Sequence, residues 1–260
     1  MSASSDNVKK ELKSYKRQGG NWIRYLFAKA WCSSARVLDY GCGYGFGALI
    51  LDNFYEYVGF DVDSNAIEWA HKHISPIKKG TSFLRNNQFK MESEIESYDT
   101  VIAYEVIEHV EEPVLLIRSL LNCLKAHGTL IISTPNGAFS DHNKLLFRTA
   151  FHIDEYSAIE LRGIIERAGG NAKFYKEYRI DGFDVRRLNS LMTTVQESAS
   201  SVSNTHKSIK NRITTSNRLF SFAYRYLNSP RLYRIKEFSS DDFNKCDCST
   251  IVVIISKKLR

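Results

Sequence analysis

Apolar positions fall in two alternating rhythms along this chain. Short continuous apolar runs sit at residues 36–39, 57–61, 82–84, 100–103 and 130–133, and each predicts a strand. Between them the apolar residues recur at helical spacing. Residues 21–31, with Trp22, Ile23, Leu26, Phe27 and Trp31, predict an amphipathic helix. Residues 46–51 predict a second. Ser64 is the expected cap of a third, with Ile67, Trp69, Ala70 and His73 inside it. Pro113 opens a fourth, because proline is tolerated in a first turn, and His127 and Gly128 are the expected stop. A fifth helix is expected over 154–168, stopped by Gly169 and Gly170. Strands are expected over 173–178 and 249–256. Strand and helix in strict alternation predict an α/β fold around a mostly parallel sheet. The uninterrupted apolar run at 130–133 predicts a strand covered on both faces.

The rhythm fails between residues 181 and 247. Serine and threonine dominate 190–211, and a helix is expected only at 217–227. The division that follows is an N-terminal helical extension (1–35), a core (36–180), a basic insertion (181–247) that covers the substrate, and a final strand (248–260) that returns to the core sheet.

Charge sharpens that division. The formal net charge is +7, and residues 1–180 contribute none of it. Residues 181–260 hold 14 Lys and Arg against 7 Asp and Glu. A block of one sign points to an anionic partner: a phosphorylated substrate, RNA or an anionic membrane surface. Five cysteines give an odd count without framework spacing, which argues for reduced thiols. The first residues carry no apolar leader, and no window reaches the ~18 apolar residues of a membrane span. A soluble, cytoplasmic protein is expected.

The chemistry concentrates where the first strand ends. Val37, Leu38 and Asp39 run directly into Gly41, Gly43, Gly45 and Gly47. The second strand ends in Asp61, 22 residues later, followed by Val62 and Asp63. Such a pair of strand ends suits a nucleoside-containing ligand in the crevice of a parallel sheet. The dinucleotide fingerprint is matched by Gly43, Gly45 and Ala48, but Asp39 stands against it. A pyrophosphate wants a helix N-terminus free of negative charge, whereas an acidic residue before the turn suits a ligand with a cationic amine. The residues therefore favour S-adenosylmethionine over NAD.

Several segments, in order, carry a family resemblance: residues 37–45; Gly59 to Asp63; Tyr98 to Ala103; Glu105, Val106, Ile107, Glu108, His109 and Val110; and Gly128 to Asn136. The chain resembles the class I S-adenosylmethionine-dependent methyltransferases over about residues 36–170, and in particular their small-molecule, glycan and ubiquinone-biosynthesis O-methyltransferase branch. The resemblance implies a seven-stranded, mostly parallel, doubly wound Rossmann-like sheet. Its seventh strand is antiparallel beside the sixth, with a helical insertion between those last two strands. It implies that Asp39, Gly41, Cys42 and Gly43 line the methionine part of the cofactor, with Tyr104 nearby. It implies that Asp61 and Val62 meet the ribose and that Asn86 or Asn87 faces the adenine. That last position is Asp in the family pattern; an amide still bonds the adenine amine.

Acceptor chemistry is expected after the fourth strand. In helical geometry Glu105, Glu108 and His109 share one face and form a candidate site for Mg²⁺ or another divalent ion. The same set resembles two branches described as binding an ion there: ubiquinone-biosynthesis O-methyltransferases and enzymes that methylate the terminal 2'-hydroxyl of small RNAs. Without an ion, His109 is the candidate general base. The segment from His152 to Tyr156 resembles that of methyltransferases acting on sugars, glycans and quinones, which makes His152 a candidate substrate contact or further ligand. His142, Asn136, Arg186 and Arg187 are weaker candidates.

The leading expectation is an O-methyltransferase for a polar small molecule, sugar or glycan, probed by the catalytic candidates His109, His152 and Glu105. The alternatives are an RNA 2'-O-methyltransferase using a divalent metal, a lipid-directed enzyme whose segment 218–227 touches an anionic membrane, and a non-catalytic binding module.

Overall fold

The structure is a computed structural model that describes residues 8, 10–12, 15, 20–85, 91–138, 152–179, 233–239, 243, 248 and 250–257. The predicted strands form β1 (Arg36–Tyr40), β2 (Glu56–Asp61), β3 (Thr81–Arg85), β4 (Tyr98–Tyr104), β5 (Leu124–Pro135), β6 (Gly170–Arg179) and β8 (Thr250–Lys257). The predicted helices form α1 (Gly20–Cys32), α2 (Phe46–Leu51), α3 (Ser64–His73), α4 (Pro113–Cys123) and α5 (Ala158–Arg167). All strands join one sheet in the order β3-β2-β1-β4-β5-β8-β6-β7. β1 to β5 pair in parallel, and β8 runs antiparallel between β5 and β6. The doubly wound α/β expectation holds, with the last strand antiparallel beside the sixth.

Among the described residues the sheet has eight strands, one more than the seven expected. β7 (Tyr233–Glu237) pairs antiparallel with β6 at the sheet edge. It lies within 181–247, so the segment expected to be an insertion returns to the sheet before its end. Arg234, Lys236 and Glu237 of β7 are exposed, as suits an edge strand guarded by charge. The helix expected at 217–227, the loop at 190–211, and Asn86, Asn87, His142, Arg186 and Arg187 lie outside the described residues.

Three element ends differ from expectation for local reasons. Asp63, not Ser64, caps α3, its carboxylate accepting from the Asn65 amide at 2.9 Å. α4 stops at Cys123 instead of running to His127, because Leu124 already pairs with Tyr98 in the β4–β5 ladder. α5 starts four residues later than expected, behind a capping box: Ser157 accepts from the Glu160 amide while the Glu160 carboxylate accepts from the Ser157 amide.

Packing explains why the site lies where it does. α4 and α5 bury Leu116, Ile117, Leu120, Leu161 and Ile165 on one face of the sheet. α1, α2 and α3 bury Ala28, Ile50, Leu51, Ile67 and Ala70 on the other. β4 and β5, covered on both faces, are buried almost throughout from Thr100 to Tyr104 and Leu130 to Thr134. Both faces are closed, so a ligand can enter only at the strand ends. Chain order reverses between β1 and β4, the position where α/β sheets open a crevice.

Candidate active site

The glycine turn sits on a buried carboxylate. Asp39 is 0% exposed, and its Oδ2 accepts from the Tyr25 hydroxyl at 2.8 Å and from the Tyr57 hydroxyl. Its Oδ1 finds no partner among the described residues. Burial pushes the Asp39 carboxyl up to about 6, against the two tyrosine hydrogen bonds, which pull it down. The group therefore still carries its charge at neutral pH. α2 can cross this carboxylate closely only because residue 47 is glycine: a Cβ there would stand 2.6 Å from Asp39 Oδ2 and 2.5 Å from the Tyr25 ring. Gly41 takes φ +84, a left-handed conformation that side chains disfavour, and turns the chain under Val106.

The second strand end is tied to this turn. Asp61 Oδ2 accepts from the Gly43 amide at 2.7 Å, and Oδ1 accepts from the Asp63 amide at 2.9 Å. Val62 beside it is 70% exposed. A cavity of about 300 Å³ opens at the turn, lined by Gly41, Cys42, Gly43, Tyr44, Tyr104 and Glu105. Glu11, Tyr15, Asn21 and Tyr25 line its N-terminal side. Tyr15 lies against Phe46, ring centroids 4.8 Å apart. An unpartnered, charged oxygen beneath the turn fits a ligand bearing an ammonium group and repels one bearing two phosphates.

Beyond β4 the expected single helical face does not form. Glu105 adopts φ 55, and its amide donates to the Ser133 carbonyl at 3.0 Å, the last bond of the β4–β5 ladder before the chain turns away. Only Ile107–His109 then forms a short 3₁₀ turn. Glu105 then stands outside the group of ligand atoms at Glu108 and His109. Its Oε1 lies 3.0 Å from the Arg24 guanidinium and accepts from Ser133 Oγ at 2.8 Å. Arg24 is itself buried on α1 and bonds Glu177 at 2.6 Å. Glu105 thus faces the cavity as half of an ion pair.

Glu108 and His109 gain a different companion. The Glu108 carbonyl accepts from the Ile153 amide at 2.8 Å and the Asp154 amide at 3.3 Å, which docks the segment after residue 151 against the 3₁₀ turn. That brings the His152 ring to a centroid distance of 4.9 Å from His109. Glu108, His109 and His152 each offer one ligand atom, all within 4.8 Å of one another. Glu108 is 0% exposed; its Oε2 accepts from Thr134 Oγ1 at 3.1 Å, and its Oε1 has no partner among the described residues. Burial first, and the neighbouring Glu105 charge second, push the Glu108 carboxyl up to about 8. Buried polar atoms are nearly always satisfied, so an open carboxylate oxygen beside two imidazoles fits a cation.

Sequence reasoning missed the residues that hold these groups. Tyr25 and Tyr57 support Asp39; Arg24 and Glu177 fix Glu105; Glu155 bonds His152. Only the last had a local signal, its position three residues after His152. Asn136 turns inward and donates to the Cys248 carbonyl at 3.0 Å, tying the end of β5 to the segment before β8, while its Oδ1 accepts from the Ala138 amide at 3.2 Å and closes the turn.

The sheet order, the glycine turn and the acidic ends of β1 and β2 define a Rossmann-like methyltransferase fold. A family model described as a methyltransferase domain matches residues 12–171. The chain belongs to that family, among the class I methyltransferases whose cofactor is S-adenosylmethionine. It is 28% identical over 139 residues to a probable S-adenosylmethionine-dependent methyltransferase of Mycolicibacterium smegmatis, covering 53% of this chain and 52% of that one. It is 29% identical over 151 residues to a ubiquinone biosynthesis O-methyltransferase of Rickettsia typhi, covering 49% and 61%. The chain thus spans about half the length of the first of these curated relatives. Among solved structures, an S-adenosylmethionine-dependent methyltransferase of Thermotoga maritima, titled a possible histamine N-methyltransferase, superposes with a TM-score of 0.58 at 17% identity, over 97% and 96% of the two chains. At that identity the likeness concerns the fold. No helix among the described residues is long and apolar enough to cross a membrane.

Proposed function

We propose that this protein transfers the methyl group of S-adenosylmethionine to a hydroxyl oxygen, with a divalent ion held by Glu108, His109 and His152. The observation that carries this reading is the gathering of those three ligand atoms within 4.8 Å around a buried, unpartnered carboxylate oxygen. The reading replaces Glu105 in the expected ligand set by His152.

The chain's own residues divide the work. Asp61, at the end of β2, offers carboxylate oxygens to the ribose hydroxyls, and the charged, open Oδ1 of Asp39 attracts the ammonium group. Glu105 stays with Arg24 on the cofactor side, so its charge is spent inside the protein. Methyl transfer depends on aligning the acceptor with the sulfonium, and the rigid β4 and β5 ends provide that alignment. A bound divalent ion would polarise the acceptor hydroxyl as a Lewis acid. Without an ion, His109, exposed at the crevice, would instead be placed to take the hydroxyl proton. Two imidazoles in a three-residue donor set suit Mn²⁺ or Co²⁺ better than Mg²⁺, which prefers oxygen donors.

Three protein donors leave room for acceptor oxygens, which suits an acceptor with two neighbouring hydroxyls. The terminal ribose of an RNA has that chemistry, and the surplus of basic residues in 181–260 supports an RNA acceptor. The ring hydroxyls of a quinol-type small molecule are the second reading, supported by the ubiquinone-biosynthesis relatives. Sugar and glycan acceptors share the same hydroxyl chemistry but have no such support.

Labelled methyl transfer to three acceptors tests this: a short RNA with a free terminal ribose, the same RNA ending in a 3'-phosphate, and catechol, each with Mn²⁺. Transfer to the free-ended RNA alone is expected. Transfer to catechol alone moves the assignment to the second reading. Transfer that EDTA leaves unchanged overturns the ion.

A further inference from the structure

We propose that Glu155 is a positioning residue for the ion cluster: it holds His152 by Nδ1 and so presents the other ring nitrogen, Nε2, to the ion. This rests on the reading of Glu108, His109 and His152 as ligands.

The geometry is specific. Glu155 Oε1 lies 2.6 Å from His152 Nδ1, and the Glu155 side chain is 3% exposed. A carboxylate is an acceptor only, so Nδ1 is the protonated nitrogen and donates to it. The lone pair then sits on Nε2, at the opposite edge of the ring. Imidazole ligands of metals are commonly oriented in this way by a carboxylate on the second nitrogen, which fixes the tautomer and strengthens the donor.

Glu155 cannot drift from this position. The amides of Ile153 and Asp154 bond the Glu108 carbonyl on one side. On the other, the Gly137 amide donates to the Tyr156 carbonyl at 3.0 Å, and a Cβ on Gly137 would lie 2.2 Å from the Glu155 carbonyl oxygen. Gly137 follows β5, the strand that carries Thr134, whose hydroxyl holds Glu108. One short stretch of chain therefore fixes the ligand carboxylate and the orienting carboxylate together. Direct ligation by Glu155 is not the geometry seen, since its carboxylate is not within the 4.8 Å group. A structural role alone would not require burial of a second carboxylate whose Oε2 has no partner among the described residues.

The test is Mn²⁺ titration calorimetry on the full chain, wild type against Glu155→Gln and Glu155→Ala, with S-adenosylmethionine affinity measured in parallel. Loss of an outer-shell partner costs about 10- to 100-fold in metal affinity. Both variants are expected to lose that much for Mn²⁺ and to bind the cofactor within about twofold of wild type. Unchanged Mn²⁺ affinity in both variants overturns the proposal. No Mn²⁺ binding by the wild type instead overturns the ion reading beneath it. Nitrogen NMR of the His152 ring in the metal-free wild type needs no variant to fold. The Nδ1–H tautomer is expected, and the Nε2–H tautomer contradicts the proposal.

Discussion

On the cofactor side of the crevice the backbone does the shaping; on the acceptor side, side chains do. The turn after β1 is set by glycine conformation and by amides, with the Gly43 amide bonded to Asp61 across two strand ends. Its one buried carboxylate, Asp39, is steadied by two tyrosine hydroxyls. The acceptor side gathers Glu108, His109, His152 and Glu155 from two separate segments and holds two buried carboxyl oxygens without partners among the described residues. The first half is nearly complete without its ligand. The second is a cluster of carboxyl and imidazole groups that a cation would complete. The lesson is that a preformed groove and a candidate ion centre can share one crevice and still be broken separately.

Arg24 is the point where the halves touch, so its loss should have the largest effect. Arg24→Met leaves Glu105 and Glu177 without their partner inside the protein. Breaking a buried ion pair in this way costs about 3–5 kcal/mol. For a domain of this size that is a fall of about 10 °C in Tm, measured by calorimetry. An unchanged Tm would show that the network is not structural.

Glu108→Gln should separate the halves most cleanly. It removes the buried anionic ligand, so transfer should fall at least about 100-fold, the upper range seen for mere outer-shell changes. S-adenosylmethionine affinity should stay within about twofold. Parallel kinetics and cofactor titration check both numbers. Asp61→Ala is the converse. It deletes charge-assisted hydrogen bonds of about 2 kcal/mol, so cofactor affinity should drop about 30-fold with Mn²⁺ binding intact.

A smaller and graded effect should come from pH. The Glu108 carboxyl sits at about 8 in the folded, ion-free protein, raised by burial and by Glu105. A cation must displace that proton. Ion affinity should therefore rise about tenfold per pH unit below that value and level off above it. Calorimetry in buffers of different ionisation enthalpy should register about one proton released per ion below pH 8. A flat profile would mean that Glu108 is not a ligand.

The same division governs what the sequence made legible. Asp39, Gly41, Gly43 and Asp61 stand at the ends of apolar runs, and backbone geometry follows from such local patterns. The acceptor side depends on the turn that the chain takes at Glu105, just past the β4–β5 ladder, which no local pattern reports. That turn brings Glu105 to Arg24, while Glu108 and His109 gather with His152. Arg24 and Tyr25 lie on a helix whose spacing announces only packing. Tyr57 looks like a core residue of β2 until its hydroxyl is seen on Asp39. β7 was hidden because its polar, charged residues suit an edge and lack a strand's apolar run.

Anomalous diffraction from crystals grown with Mn²⁺ and S-adenosylhomocysteine tests the central claim most directly. The account predicts the nucleoside in the cavity beside Gly41 and Gly43, and an anomalous peak bonded to Glu108, His109 and His152. A bound nucleoside with no peak at those residues, or a peak ligated by Glu105 in place of His152, would contradict it.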